Sequence, residues 1–335
     1  MDFLKDIVKE IGDDFTTLAE DISDSEQFID TGSLVFIGLI SGSIFGGVSS
    51  KRITAIAGES STGKTFFALA VVKNFLDNNP DAYALYFDTE SAISKSLLES
   101  RGIDMKRFVV INVVTIEEFR TKALKAVDKY LQMPIEERKP CMFVLDSLGM
   151  LSTEKEITDA LNDKQVRDMT KSQLVKGAFI MLTLKLGQAN IPLIVTNHTY
   201  DVIGSYIPTK EMRGGSGLKY AASTIIYLSK KKEKDQKEVV GNIIKAKTHK
   251  SRLSKENQQV EIRLYYDERG LDKYYGLLEL GEIGGLWKNV AGRYEINGKK
   301  IYGKEILRNP TEYFTDDIME KLDAIAKQQF SYGTN

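Results

Sequence analysis

The sequence contains few residues of the kinds that form disulfides or zinc sites. Among its 335 residues there are one cysteine, Cys141, and two histidines. A single cysteine excludes an intramolecular disulfide, and the histidines do not stand at the spacing of the usual zinc ligands. This composition favours a reducing, cytoplasmic setting.

The sequence also lacks a strong charge excess and a long apolar run. Lysine and arginine number 46 against 47 acidic residues, for a formal net charge of −1, so any nucleic-acid site has to be a local cluster of basic residues. The most apolar stretch, residues 34–48, contains glycine and serine and is shorter than the roughly 18 to 20 residues that cross a bilayer. Residues 1–30 are acidic, which is atypical of a signal peptide. We therefore expect no membrane association.

The composition divides the chain into three segments. Residues 1–30 carry ten acidic residues and two lysines, with apolar residues at helical spacing, and we interpret them as an amphipathic arm that contacts a neighbouring subunit. Residues 31–270 alternate short β-rich runs with longer helical segments, which predicts an α/β core with a mostly parallel, twisted sheet. Residues 271–335 are predicted to form a small C-terminal subdomain. The predicted strands of the core are 52–57, 82–88, 108–113, 141–146, 192–197, 223–229, 239–247 and 259–266.

A phosphate loop of the pattern G-x-x-x-x-G-K-[ST] follows the first of these strands and precedes an apolar helix, which is the context that this motif requires. The residues assigned to nucleotide binding are Gly58, Glu59, Ser60, Ser61, Thr62, Gly63, Lys64, Thr65 and Phe66. Glycines let backbone N–H groups surround a phosphate, and the helix N-terminus adds partial positive charge. We predict that Lys64 contacts the β and γ phosphates and that Thr65 is a ligand of Mg²⁺.

Two acidic residues at strand ends are candidates for the rest of the site. Asp146 ends the apolar run 142–145 and is predicted to hold Mg²⁺ through water. Its alternative role is to cap the following turn, and both roles are compatible. Glu90 follows the strand 82–88 and is the candidate general base, with capping of a helix near Ser91 as the alternative.

Beyond the phosphate loop, the sequence resembles the RecA-like recombinases. Four strings occur in the family's order, namely Thr31-Gly32-Ser33, Phe87-Asp88-Thr89-Glu90, Leu145-Asp146-Ser147-Leu148 and the glycine-rich run 214–223. Five further strings resemble the UvsX-type recombinases of phages, namely 146–149, 159–162, 168–170, 197–200 and 250–252. The resemblance covers about residues 25–280.

This resemblance implies a RecA-like phosphate-loop NTPase core and a DNA-dependent ATPase that uses ATP and Mg²⁺. It implies helical filaments on single-stranded DNA, with homologous pairing and strand exchange against double-stranded DNA. It further implies a single-strand-binding protein and a loading mediator as partners. If the chain is phage-encoded, it is expected on DNA in the host cytoplasm.

The resemblance also assigns roles to individual residues. Glu90 matches the family's catalytic glutamate, and His198 stands where the family has a polar residue that senses the γ-phosphate and begins the second DNA-binding loop. Two positions depart from the pattern: Ser94 and Leu97 stand where RecA has residues that contact adenine, so strict ATP preference is not implied.

A pair of basic residues is assigned to catalysis across a subunit interface. Lys250 and Arg252 match family residues that reach the γ-phosphate held by the neighbouring subunit. The alternatives are Lys245 and Lys247, or a solvated strand end.

Two loops, 153–170 and 199–217, match the DNA-binding loops of the family. The candidate DNA-binding residues are Lys164, Arg167 and Lys171 in and beside the first loop, and Tyr206, Lys210, Arg213, Gly214 and Gly215 in the second. Basic and aromatic residues suit contacts with phosphates and bases, and a solvated charged face is the alternative. A further basic cluster, residues 230–234, is interpreted as a solvated hairpin turn.

Two other functions compete with the recombinase. A ring helicase shares the core but translocates on single-stranded DNA, and the glycine-rich second loop disfavours it. In a non-enzymatic or signalling ATPase the loops would contact protein instead, and salt-sensitive binding to single-stranded DNA would argue against this alternative.

Overall fold

The computed structural model describes residues 2–12, 16, 18–21, 27–163, 169–201, 210–212, 216–235, 238–296 and 298–333. Its strands are β1 (Phe28–Ile29), β2 (Val48–Ser49), β3 (Ile53–Gly58), β4 (Tyr83–Asp88), β5 (Phe108–Asn112), β6 (Cys141–Asp146), β7 (Leu193–Asp201), β8 (Lys210–Met212), β9 (Thr224–Asp235), β10 (Glu238–Ser251), β11 (Gln259–Tyr265), β12 (Asn289–Val290), β13 (Arg293–Ile296) and β14 (Lys299–Tyr302). Its α-helices are α1 (Asp2–Ile11), α2 (Leu34–Ser41), α3 (Lys64–Asn78), α4 (Lys95–Ser100), α5 (Ile116–Leu131), α6 (Glu154–Leu161), α7 (Lys171–Ala189), α8 (Ser216–Ala221), α9 (Leu277–Ile283), α10 (Gly303–Arg308), α11 (Pro310–Tyr313) and α12 (Asp316–Phe330).

The central sheet has the order β11-β10-β9-β3-β7-β6-β4-β5. The six strands from β9 to β5 are parallel, and β10 and β11 extend the sheet as antiparallel strands. This arrangement confirms the predicted mostly parallel α/β core. All eight predicted strands are present. β9 and β10 run beyond their predicted ends because they pair with each other as one long hairpin whose outer part is polar.

Helices cover both faces of the sheet. On one face, α2 and α3 pack in a hydrophobic cluster with strand residues such as Ile56 and Ile226. On the other face, α5 and α7 pack in a second cluster with residues such as Ala55 and Ile225. Parallel sheets need this double covering because their strands are apolar on both sides.

The most apolar stretch of the sequence forms a core helix. Every residue of α2 from Leu34 to Ile40 is buried. Among the described residues there is no helix with the length and hydropathy required to cross a bilayer.

The C-terminal region packs against the same helix. Trp287, Phe314 and Phe330 belong to the hydrophobic cluster that contains Phe36 of α2. Strands β12, β13 and β14 form a small antiparallel sheet in this region.

The N-terminal arm begins with α1, whose apolar residues face solvent. Phe3, Leu4 and Ile11 are 73%, 58% and 55% exposed. Burying the uncovered apolar side of an amphipathic helix against another surface lowers the free energy. Packing of this arm on a neighbouring subunit remains a prediction.

The sheet topology brings the polar ends of four strands to one edge. Gly58 on β3 lies opposite His198 on β7, and Asp88 on β4 lies opposite Asp146 on β6. Since β6 and β7 are neighbours in the sheet, these residues stand together at the carboxyl edge, where open α/β sheets bind ligands.

Candidate nucleotide and DNA site

The phosphate loop closes tightly between β3 and α3. A Cβ atom on Gly58 would lie 2.8 Å from Thr62 Oγ1 and 2.9 Å from the Leu228 carbonyl oxygen, so the position admits only glycine. Gly63 precedes α3 with a φ of 87°, a conformation that glycine adopts at little cost. The loop therefore turns directly into the helix N-terminus, as the motif predicts.

Lys64 is buried at the start of α3. Its Nζ donates to the carbonyl oxygens of Gly58, at 3.1 Å, and Glu59, at 2.8 Å. Burial lowers the pKa of Lys64, the neighbouring Asp146 and Glu90 raise it, and Lys230 lowers it. A buried ammonium of this kind gains most from an anion that enters the site.

Asp146 accepts hydrogen bonds from three hydroxyl groups. Thr65 Oγ1 and Tyr86 Oη each donate to Asp146 Oδ2 at 2.6 Å, and Thr196 Oγ1 donates to Oδ1. Burial, then the Asp146 charge, holds the pKa of Tyr86 well above its usual value, so Tyr86 stays protonated as a donor. The structure thus brings together Thr65 and Asp146, the two residues predicted to hold the metal.

Glu90 takes part in a second hydrogen-bond group. Ser147 Oγ donates to Glu90 Oε1 at 2.9 Å, and His198 Nε2 lies 3.2 Å from the same oxygen. Glu90 does not cap a helix, because α4 begins at Lys95 and its N-terminus is capped by Ser94.

Asp88, the other acid at this strand end, has a structural role. Its carboxylate accepts hydrogen bonds from the backbone N–H groups of Glu90, Ala92 and Ile93, and its side chain is buried. It therefore shapes the turn that presents Glu90.

His198 joins the two parts of the site. Its Nδ1 lies 3.4 Å from Lys64 Nζ, on the opposite side of the ring from the Glu90 contact. The imidazole is therefore placed between the phosphate-loop lysine and the candidate base.

These residues line a cavity of about 620 Å³. Three further lining residues have no role in the sequence motifs: Lys230, Asn242 and Tyr266 extend the wall beyond Lys64 and Thr65. Tyr266 Oη donates to Asn242 Oδ1 at 3.0 Å, and the rings of Tyr266 and Phe66 have centroids 5.8 Å apart. An isolated asparagine in a β-rich run gives no signal in the sequence.

Ser94 and Leu97, the two positions that depart from RecA, make contacts outside the cavity. Ser94 Oγ accepts a hydrogen bond from the backbone N–H of Leu97, and the Leu97 side chain packs against the hydrophobic core. Aromatic surface in the cavity is supplied instead by Phe66 and Tyr266.

Lys250 lies away from the phosphate loop of its own subunit. Lys250 pairs with Ile225 on β9, and Ile225 pairs with Ala55 on β3. Ala55 precedes Gly58 by three residues, which places Lys250 about 10 Å along the strands from the start of the phosphate loop. Its Nζ donates to the carbonyl oxygens of Lys219, at 2.6 Å, and Tyr220, at 3.2 Å.

Arg252 follows the same strand end. Its backbone N–H donates to the Ser223 carbonyl oxygen, and the residue is exposed. Neither Lys250 nor Arg252 lines the nucleotide cavity described above.

The candidate DNA-binding residues lie only partly within the described chain. Outside it are Lys164, Arg167, Tyr206, Arg213, Gly214 and Gly215. Lys171 begins α7 and pairs with Glu156 on α6 at 2.9 Å. Lys210 pairs with Glu59 of the phosphate loop.

The base of the second loop is a short antiparallel ribbon. Thr199, Tyr200 and Asp201 on β7 pair with Met212, Glu211 and Lys210 on β8. The sequence predicts no regular structure here, because the alternating apolar pattern of a half-buried strand is absent. The ribbon therefore connects the nucleotide site to the second loop.

The fold and the site together define a phosphate-loop nucleoside triphosphatase with a mostly parallel sheet. The family described as the RecA N-terminal domain matches residues 2–272, and the chain belongs to this family.

Named relatives agree with this assignment. The recombination and repair protein of Enterobacteria phage T4 is 34% identical over 256 residues, which are 76% of this chain and 63% of that protein. Protein RecA of Cereibacter sphaeroides is 28% identical over 296 residues, covering 86% of this chain and 82% of that protein. Protein RecA of Streptomyces coelicolor is 25% identical over 295 residues, covering 87% and 75%. The aligned part spans less than two thirds of the phage T4 protein. The three matches together confirm the resemblance seen in the sequence.

Proposed function

We propose that the chain is a DNA-dependent ATPase that polymerises on single-stranded DNA and catalyses homologous pairing and strand exchange in recombination and repair. The observation that carries this proposal is the position of His198, between Lys64 and Glu90. His198 belongs to β7, which continues into the ribbon at the base of the second loop. The state of the nucleotide is therefore passed to the DNA-binding loop through one strand.

Hydrolysis requires a water molecule in line with the γ-phosphate. The Glu90 carboxylate orients this water, and the contacts with Ser147 and His198 hold the carboxylate in place. The water oxygen bonds to the γ-phosphorus while the bond from that phosphorus to the bridging oxygen breaks. The nucleoside diphosphate leaves with the bridging oxygen, and the Glu90 carboxylate accepts the proton that the water loses. Lys64 offsets the negative charge on the phosphate oxygens.

Thr65 and Asp146 would hold Mg²⁺ beside the phosphates. Their side-chain oxygens are 2.6 Å apart, and a hydroxyl with a single carboxylate fits Mg²⁺, which keeps several waters and shares phosphate oxygens. When bound there, Mg²⁺ would neutralise charge on the β and γ phosphates. Among the described residues, no cluster of three or more His, Cys, Asp or Glu forms another metal site.

The proposed partners follow from the resemblance to phage recombinases. They are single-stranded DNA, double-stranded DNA, other copies of the chain in a helical filament, a single-strand-binding protein and a loading mediator. Lys250 and Arg252 are proposed to act on the nucleotide of the neighbouring subunit, since Lys250 lies about 10 Å along the sheet from the level of its own phosphate loop.

A strand-exchange assay tests the proposal. Circular single-stranded DNA and homologous linear duplex should give joint molecules with ATP and Mg²⁺, and none with heterologous duplex. A ring helicase would instead displace an annealed oligonucleotide without a requirement for homology. The family match over residues 2–272 favours the first result.

A further inference from the structure

Lys230 stands at the edge of the nucleotide cavity, although its sequence context suggested a solvated hairpin turn. It lines the cavity together with Lys64, Glu90 and His198. Its Nζ donates to the carbonyl oxygen of Ser61 in the phosphate loop. A lysine 169 residues away in sequence from Ser61 therefore contacts the loop directly.

Strand geometry explains why Lys230 reaches this place. Leu228 on β9 lies opposite Gly58, where β3 enters the phosphate loop. Side chains two residues apart point to the same side of a strand. Ile226 and Leu228 belong to the hydrophobic cluster on the α3 face, so Lys230 continues that row toward the loop that precedes α3.

The loop carbonyls hold two ammonium groups in this structure. Lys64 is bound by Gly58 and Glu59, and Lys230 is bound by Ser61. The positive charge of Lys230 disfavours the charged form of Lys64. A polyphosphate placed between the two ammonium groups removes this repulsion and offers charged oxygens, which are stronger acceptors than peptide carbonyls.

We propose that Lys230 is a second phosphate-binding lysine of this site, which exchanges the Ser61 carbonyl for an oxygen of the bound nucleoside triphosphate. The proposal rests on the nucleotide-binding part of the proposed function and is independent of DNA. Lys230 is exposed, so its side chain can turn from the loop to the ligand without rearrangement of the core.

The test compares three variants in the absence of DNA. Lys230→Ala removes the charge, Lys230→Arg keeps it, and Lys51→Ala removes an exposed lysine just before the amino end of β3. The probes are ATP with Mg²⁺ and inorganic tripolyphosphate, with dissociation constants from isothermal titration and melting temperatures as the check on folding.

We expect Lys230→Ala to weaken both probes about tenfold, the effect of removing one charge-assisted hydrogen bond. Lys230→Arg should stay within a few-fold of the parent, and Lys51→Ala should equal it. The proposal is contradicted if Lys230→Ala binds both probes like Lys51→Ala. It is also contradicted if the alanine and arginine variants lose affinity equally, because the side chain would then support the loop rather than carry charge.

Two further outcomes separate this inference from the proposed function. In a separate titration with single-stranded DNA, loss of DNA binding by Lys230→Ala, with unchanged affinity for tripolyphosphate, would assign the lysine to DNA and overturn the inference alone. A parent chain that binds neither ATP nor tripolyphosphate would contradict the proposed function and the inference together.

Discussion

The three carboxylates at the edge of the sheet differ in what they contact. Asp88 accepts three backbone N–H groups, and Asp146 accepts three hydroxyl groups. Glu90 contacts one hydroxyl and one imidazole. A carboxylate that accepts several backbone N–H groups is held in one orientation. Glu90 makes fewer contacts and can still accept a hydrogen bond from a water molecule.

The first prediction separates binding from chemistry. Lys64→Ala should remove productive nucleotide binding, because the phosphate charge loses its buried partner. Glu90→Gln should keep binding and lower hydrolysis by about two orders of magnitude, the contribution of a positioned base. Binding of a fluorescent ATP analogue and phosphate release in the presence of DNA measure the two effects. Near-native hydrolysis by Glu90→Gln would refute the assignment of Glu90.

The second prediction concerns the nucleoside end of the cavity. Tyr266 and Asn242 form a hydrogen-bonded pair on the cavity wall, and aromatic–base stacking contributes about 1–3 kcal/mol. Tyr266→Ala should weaken ATP binding roughly tenfold or more and leave tripolyphosphate binding unchanged. Ser94→Ala is the control, since the Ser94 hydroxyl contacts Ser96 and the Leu97 N–H of α4 and does not line the cavity. Equal losses for ATP and tripolyphosphate would place Tyr266 outside the base contact.

At the scale of elements, the second DNA loop and the phosphate loop are connected. Lys210 on β8 pairs with Glu59, and Lys219 on α8 pairs with Glu211 on β8. Lys250 is held by two carbonyl oxygens of α8. Elements on both sides of the second loop thus contact residues assigned to nucleotide chemistry.

The third prediction tests the loops as the DNA site. Replacement of Lys210 and Arg213 by alanine should weaken binding of single-stranded DNA and reduce the salt dependence by about 0.7 unit of slope for each DNA phosphate that the variant no longer neutralises. Replacement of Arg167 should have the same kind of effect. Fluorescence anisotropy over a range of salt concentrations gives the slope, with Lys51→Ala as the control. Unchanged slopes in both variants would move the DNA site away from these loops.

The elements that the sequence predicts well are those with a strong pattern. Strands β3 and β6 are apolar runs buried on both faces, and α5 has an apolar stripe and a capping box from Thr115 and Glu118. The short polar strands β8, β12 and β14 lack an alternating apolar pattern, and α2 is apolar on all sides, so periodicity does not identify it.

Residues of the site could be predicted from the sequence where they belong to contiguous motifs. Thr65, Asp146 and Glu90 stand in short recognisable strings. Lys230, Asn242 and Tyr266 reach the cavity only because β9, β10 and β11 extend the sheet beside β3. Their role depends on strand order, which a single sequence does not reveal.

At the scale of the whole molecule, the nucleotide site is open at the edge of the sheet. The basic pair Lys250 and Arg252 lies outside this site. Lys250 lies level with Ala55 rather than Gly58. We propose that a residue so placed acts on the nucleotide of a neighbouring subunit, as an arginine finger does when supplied in trans.

The fourth prediction uses mixed subunits. Subunits with Lys250→Ala and Arg252→Ala should be inactive alone, and so should subunits with Glu90→Gln. A mixture should regain part of the DNA-dependent hydrolysis, because some interfaces combine an intact base with an intact basic pair. Confirmed co-assembly without recovered activity would count against a role in trans.

The fifth prediction concerns the arm. Deletion of residues 1–30 should abolish filaments and leave a folded chain that binds nucleotide, because the apolar side of α1 faces solvent. The deletion also removes Ile29 of β1 from the hydrophobic core, so the melting temperature of the truncated chain should fall. Light scattering and nucleotide titration measure the two properties. Filaments of normal length from the truncated chain would show that the arm is dispensable.

Electron microscopy of the full chain with single-stranded DNA and a non-hydrolysable ATP analogue tests the central claim most directly. A DNA-pairing filament protein should give continuous helical filaments whose length follows that of the DNA, and these filaments should be absent without nucleotide. Closed rings on the same DNA would contradict the recombinase account and favour a translocating motor.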